Sequence, residues 1–167
     1  MSEVFSILLH NRQRYKQGKE GLWFSLPTTT EKLQAALREI GISADNPQDF
    51  FLYGYRSPQE RPVKLPRDLV LSADMDELNF LAAQLQKLDA VELAELNAAM
   101  PAARELLMRR MASNGVTVVD PVNTYVDPRC SVAPGVTLLP GTILRGHTAI
   151  AAGCEIGPNS MVRDCIV

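Results

Sequence analysis

Between Val132 and Ser160 the chain reads VAPGVT LLPGTI LRGHTA IAAGCE IGPNS when it is cut every six residues, and each block opens on an aliphatic side chain. Extended in both directions, the opening positions are Val126, Val132, Leu138, Leu144, Ile150, Ile156 and Val162, seven without a break in a sequence that is 46% hydrophobic. A helix repeats near 3.6 residues and a half-buried strand at two. A period of six is a multiple of the strand period interrupted by turns, so each block reads as a short strand plus a corner. Pro, Gly or Ala stands two positions after each opening residue (Pro128, Pro134, Pro140, Gly146, Ala152, Pro158), followed by Arg129, Gly135, Gly141, His147, Gly153 and Asn159. Pro presets φ, and Gly or Asn accept the positive φ of a tight corner. A small or β-branched residue then turns back inward: Cys130, Val136, Thr142, Thr148, Cys154 and Ser160. One block cannot bury its own aliphatic residue, so blocks must stack. Residues 116–167 are therefore expected to coil into a prism with the seven opening residues inside.

Upstream of Gly115 the rhythm is absent. Val4 to His10 and Phe50 to Tyr55 read as strands, with a shorter one at Trp23 and Phe24. Between them TTTEKLQAALREIGI carries helix signals: Thr28 and Glu31 at capping-box spacing, Leu33, Leu37 and Ile40 on one face, and Gly41 just past the end. A second helix starts at Asp74, with Glu77 three residues on and Leu78, Leu81, Ala82, Leu85 and Leu88 along one face. Asp89 and Glu92 open a third helix through Met100, and Pro101 suits the first turn of a fourth, PAARELLMRRMAS, closed by Asn114 and Gly115. The Pro-rich run RSPQERPVKLPRD reads as loop. The expected organisation is an α+β domain over residues 1–99, a linker helix over 100–115 and the repeats over 116–167.

Seventeen basic and 19 acidic side chains leave a formal net charge of −2, which makes no electrostatic case for a nucleic-acid partner. No apolar run approaches the roughly 18 residues of a membrane span, and no charged segment leads into an apolar one, so a cytoplasmic chain without a membrane partner is expected. The three Cys lack CxxC spacing. Cys130 and Cys154 fall on inward repeat positions and read as small buried hydrophobes, with disulfide or metal ligation as open alternatives.

The run NRQRYKQGKEGLWFSLPTTTEKLQAALREIGI, with Tyr15, Gly18, Gly21, Trp23, Leu26 and Pro27, followed by Asp76, Glu77, Leu78, Asn79 and Leu81, resembles the ArdA-type antirestriction domain over roughly residues 3–99. That resemblance implies a DNA mimic that occupies the DNA-binding groove of a type I restriction enzyme, and hence a surplus of carboxylates. Met1 to Met100 hold 14 acidic and 11 basic side chains, a difference of only −3. From about Arg104, RELLMRRMASNGVTVVDPVNTYVDP onward to GCEIGPNSMVRD is similar to the linker helix and first coils of the bacterial bifunctional UDP-N-acetylglucosamine pyrophosphorylase/glucosamine-1-phosphate acetyltransferase. The repeat itself resembles the hexapeptide, left-handed parallel β-helix of acyl- and acetyltransferases. This likeness implies a trimer built through the coils and, for an active enzyme, acetyl-CoA. The glycine-rich nucleotide loop of that enzyme has no counterpart in Met1 to Met100, and the seven blocks make little more than two coils. No catalytic residue carries over by position, and the chain being a fragment of a longer protein stays open.

Among single residues, His147 is the one titratable base on a repeat corner. It is the weak candidate for a general base, against the reading of a solvated corner. His10 reads as a strand-end surface residue. Trp23 with Tyr15, Tyr53 and Tyr55 reads as core beside strands, or else as a recognition surface. Asp74, Asp76 and Glu77 serve either as helix caps or as a fragment of an acidic partner-binding surface. Arg104, Arg109 and Arg110 read as a solvated helix face. Leu139 and Ile143 turn outward while apolar, and so are expected to face another copy. The function expected is non-catalytic protein binding and assembly, an ArdA-like domain on an oligomerising repeat, needing no cofactor or metal. The alternative is a hexapeptide acetyltransferase, remnant or fragment, using acetyl-CoA.

Overall fold

The computed structural model describes residues 3–167, which divide into two compact units, one ending at Asn97 and the other starting at Ala98. In the first, β1 (Phe5–Asn11) is the central strand of an antiparallel sheet, between β2 (Leu22–Leu26) and β3 (Phe50–Arg56). Alternation divides β1 cleanly. Phe5, Ile7 and Leu9 are fully buried in a core with Leu26, and Ile40, Val63, Val70, Leu78, Ala82, Leu85 and Leu93 pack onto them. Those partners come largely from α3 (Arg67–Leu71), α4 (Met75–Leu85) and the start of α5 (Ala90–Ser113), with Ile40 closing the end of α2 (Thr30–Glu39). Burying each large aliphatic side chain contributes about 1.5–3 kcal/mol, so the helices are held to this face by its hydrophobic row. Ser6, Leu8 and His10 point the other way.

Several expectations are corrected here. The N-cap of α2 is Thr29 and not Thr28; the Thr29 hydroxyl faces the Lys32 N–H at 3.5 Å. Thr28 instead exchanges hydrogen bonds with the Asn79 side-chain amide, which ties the loop to α4. The Pro-rich run ends inside α3, and a short helix, α1 (Arg12–Lys16), capped by Asn11, was not foreseen. The separate third and fourth helices are one, α5, with Pro101 inside it. Pro101 removes one helical N–H, freeing the Asn97 carbonyl, a loss that costs about 3 kcal/mol in an ordinary helix interior. The neighbouring Ala98, Ala99, Ala102 and Ala103 are strong helix formers. No described helix is long and apolar enough to cross a membrane.

In the second unit α5 is followed by short parallel strands. These are β4 (Thr117–Val118), β5 (Tyr125–Val126), β6 (Ser131–Val132), β7 (Thr137–Leu138), β8 (Ile143–Arg145), β9 (Ala149–Ile150), β10 (Glu155–Ile156) and β11 (Met161–Arg163). They form three sheets, ordered β10-β7-β4, β11-β8-β5 and β6-β9, so each sheet is revisited at every third strand. Val126 pairs with Leu144 and Leu144 with Val162, and Val132 pairs with Ile150. All seven opening residues lie in or against one core, with Leu138, Leu144, Ile150 and Ile156 fully or nearly buried and none of the seven exposed. Val136, Thr142 and Thr148 join them inside. The corner glycines take the predicted conformation: at Gly141, φ is +75° and a Cβ would stand 2.2 Å from the Asn159 Oδ1. Two corners are shifted by one residue, at Gly146 and at Asp164. The positive-φ residue of the fourth block is Gly146, not His147, and it must be glycine because a Cβ there would stand 2.1 Å from the Asp164 carboxylate.

Candidate interaction surface

The second face of the β2-β1-β3 sheet is where exposed chemistry collects. Alternation that sends Phe5, Ile7 and Leu9 into the core leaves His10 outward, and across the sheet Phe51 and Tyr53 join it, with Tyr15 arriving from α1. Their ring centroids lie 5.1 Å (His10–Tyr15), 5.7 Å (His10–Phe51), 5.4 Å (His10–Tyr53) and 5.4 Å (Tyr15–Tyr53) apart. His10 is the floor of this cluster and is buried, which corrects its reading as a surface residue; the absent side chain of Gly21 makes room, since a Cβ there would be 2.5 Å from the His10 Nε2. Contact with the Tyr53 hydroxyl holds the Tyr15 phenol above its ordinary value.

A second station lies farther along. Trp23 pairs with Leu8, and its ring reaches past β1 to Gly54, where a Cβ would sit 3.0 Å from both the indole and Leu8. A register irregularity between Leu8 and Leu9 opposite Tyr53 and Gly54 lets β3 place Tyr53 on this face. The Arg56 guanidinium stacks 4.4 Å from the Trp23 ring, and Arg12 stands 5.5 Å from that of Phe51. Trp23, Tyr15 and Tyr53 are 39%, 42% and 45% exposed, so the core reading fails for these three and holds only for Tyr55, which packs against Phe5 and donates to the Val63 carbonyl. Phe51, Arg12 and Arg56 were missed by sequence reasoning, although the alternation Phe51, Tyr53 was the signal that pointed to them.

The carboxylates nominated from sequence lie on the helices. Asp74 and Glu77 form a capping box at the start of α4, the Asp74 N–H donating to Glu77 at 3.2 Å, while Asp76 is exposed in the same first turn. Charge within this unit is segregated by element. From Arg67 to Asn97 there are seven carboxylates against only Arg67 and Lys87, a net −5, whereas Met1 to Pro66 hold seven against nine basic residues, a net +2. Of the seven, Asp68, Asp74, Asp76, Asp89, Glu92 and Glu95 are exposed. A cleft of about 270 Å³ bordered by Arg12, Phe51, Leu71, Asp74 and Met75 lies between β3 and the start of α4.

In the second unit the nominated residues scatter. His147 is exposed, and its backbone N–H, not its ring, meets the Asp164 carboxylate, at 2.8 Å. Leu139 is half-buried against Gly157. Ile143 is buried, contrary to its expected exposure, because Tyr125 and Met161 stand beside it in register on the same sheet. Arg104 is not a solvated cation: it stacks 4.3 Å from the Tyr125 ring and donates to the carbonyls of Pro121, Val122 and Thr124. It thereby clamps the loop that lengthens the first turn, where Val118 pairs with Leu138. Arg109 pairs with Glu105 one helical turn away. Asp127, held by Arg129, has its pKa lowered to about 2, and burial pushes the Cys130 thiol up. The three cysteines are free, Cys130 and Cys154 half-buried and Cys165 exposed. Among the described residues no cluster of three or more His, Cys, Asp or Glu could hold a metal.

A family model described as antirestriction protein (ArdA) matches residues 9–127, and so extends past Met100 into the second unit. The chain is also similar to the bifunctional protein GlmU of Geobacillus sp. (strain WCH70), at 40% identity over 77 residues, 46% of this chain and 16% of that protein. The bifunctional protein GlmU of Caldanaerobacter subterraneus subsp. tengcongensis is 40% identical over 73 residues, 44% and 16% of the two chains. That of Rubrobacter xylanophilus is 35% identical over 88 residues, 50% and 19%. The chain thus spans less than a fifth of the length of these curated relatives.

Proposed function

The chain belongs to the ArdA antirestriction family, and from that premise we propose that it is a non-catalytic protein whose acidic helices engage the DNA-binding groove of a type I restriction enzyme. The observation that carries this reading is the net −5 between Arg67 and Asn97. A total of −3 over the first hundred residues looks too small for charge mimicry, but the groove would meet α3, α4 and the start of α5, not the average. Duplex DNA carries one charge per about 1.7 Å of axis, so a run of exposed carboxylates on packed helices is the minimum a mimic needs. Asp74 and Glu77 then serve twice, as caps and as charge, while Asp76 serves only as charge.

The second unit is read as a left-handed parallel β-helix of hexapeptide repeats that joins copies into a trimer. Support comes from the three-sheet parallel register, the single aliphatic interior and the similarity to the GlmU proteins. Leu139, half-buried, is the residue this reading offers for contact between copies; Ile143, buried between Tyr125 and Met161 in its sheet, is not. The test is cleavage of unmodified DNA by a type I restriction enzyme with and without the purified chain, alongside its mass by light scattering. Inhibition by a trimer supports the reading; a monomer without effect on cleavage contradicts it.

The GlmU similarity favours a second reading, a hexapeptide acyltransferase relative that takes acetyl-CoA, with His147 as base. Turnover of acetyl-CoA with glucosamine-1-phosphate that disappears in His147→Ala would establish it.

A further inference from the structure

We propose that the open face of the β2-β1-β3 sheet binds single-stranded nucleic acid, with Trp23 and the Tyr15–Tyr53 pair as base-stacking stations and Arg12 and Arg56 as phosphate contacts. The inference rests on the sheet face and not on the charge of the acidic helices, of which Asp74 borders the cleft beside Arg12 and Phe51. Five rings share this face of a three-stranded sheet, and three of them are about two-fifths exposed. Stacking of bases on such rings is sequence-tolerant, because every base has a π-face, and arginine beside the ring supplies both phosphate contact and further stacking.

Charge on the face matches that ligand. Helix α1, which adjoins its His10 end, reads RQRYK and holds no acid. Lys16 and Lys19 are exposed, and Arg14 donates to the Glu39 carbonyl. Among the described residues the recorded ion pairs do not engage Arg12 or Arg56. The one carboxylate placed on the strands' open face is Glu3, at the far end, where it accepts from the Ser6 and Ser25 hydroxyls. Glu20 lies in the turn before β2. An acidic protein segment would meet the same cations but would leave the rings without a flat partner, which is why the observations favour nucleobases.

Trp23 is the chain's single tryptophan, so its emission reports on this face alone. A labelled oligothymidylate of about twelve nucleotides, within the usual site sizes for single strands, is titrated against the full chain while anisotropy and Trp emission are read together. The expected result is saturable binding with quenching of Trp23, weakened on the order of tenfold in Tyr53→Ala and in Trp23→Ala. Arg56→Gln should lower the salt dependence of binding. An oligomer of abasic sites with the same phosphates should bind on the order of tenfold more weakly and leave the emission unchanged. Should Trp23→Ala fail to fold by circular dichroism, Tyr53→Ala, an exposed position, decides. Three results would overturn the proposal: no binding up to about 100 μM, the weak end of non-specific nucleic-acid affinity; equal binding of the abasic oligomer; or equal binding of polyglutamate, which would assign the face to an acidic protein instead. Changing Asp76 and Glu95 to their amides should leave oligonucleotide binding intact while weakening restriction inhibition, so the two readings fail separately.

Discussion

Arg104 and Arg56 make nearly the same stack, 4.3 Å from Tyr125 in one unit and 4.4 Å from Trp23 in the other, yet they do opposite things. Arg104 turns its N–H groups inward to three carbonyls and closes a loop on the coils. Arg56 lies on an open sheet face and is exposed. A cation over a ring is therefore no mark of a site in itself; what the remaining N–H groups meet decides whether the stack is structural or available. The same contrast runs through both units. In the coils the apolar row turns into one shared interior, and even Ile143, at an outward repeat position, is covered by its neighbours in register. In the sheet only one face has a core, and the aromatics of the other face remain accessible.

The sharpest way to break this contrast is at the coil interior. Leu138→Ala removes a fully buried side chain and should cost about 2–5 kcal/mol. A denaturation curve should show the second unit unfolding early while Trp23 emission, in the first, is unchanged. Next, Arg104→Ala should cost about 1.5–3 kcal/mol through lost charged hydrogen bonds, against about 0.5–1 kcal/mol for Arg56→Ala at its exposed stack. Equal effects in urea titrations would dissolve the distinction. Cap loss is smaller again: Thr29→Ala should cost about 1 kcal/mol, and Thr28→Ala should not act through the α2 cap.

The least effect belongs to Asp127 and Arg129. The depressed pKa of Asp127 means its contribution is present above the ordinary Asp range and lost as pH falls from about 4 toward 2. Because the Arg129 side chain is 60% exposed, solvent screens the pair and about 0.2–1 kcal/mol is expected for loss of the Asp127 charge. Stability measured through that window should fall less steeply in Asp127→Asn.

How much of this was legible follows from the same contrast. A period of six needs only local information, so the aliphatic interior, the inward threonines and most corners could be read from spacing; the contact that forbids a side chain at Gly146 comes from Asp164, 18 residues on, which no single block shows. Two helix starts in the first unit were legible through their caps, at Asp74 and Asp89, whereas the short α1 and the uncapped α3 were not. The Pro101 boundary misled because proline suits a helix start, whereas here it lies inside α5. The interaction face was hidden for a different reason. Trp23, Tyr53 and Tyr15 come from three elements, and only strand pairing, with a bulge beside Gly54, brings them together. The acidic surface was hidden by averaging, since net charge over a hundred residues cancels what the helices concentrate.

The central claim, that those helices and not the whole chain carry the family's charge, is tested most directly by one comparison in a type I restriction assay. Asp68→Asn, Asp76→Asn and Glu95→Gln together remove three exposed carboxylates and spare the caps Asp74 and Asp89. The account predicts that the native chain inhibits cleavage, and that the triple variant, folded by circular dichroism, inhibits more weakly and with a shallower dependence on salt. Inhibition unchanged in strength and in salt dependence would contradict it.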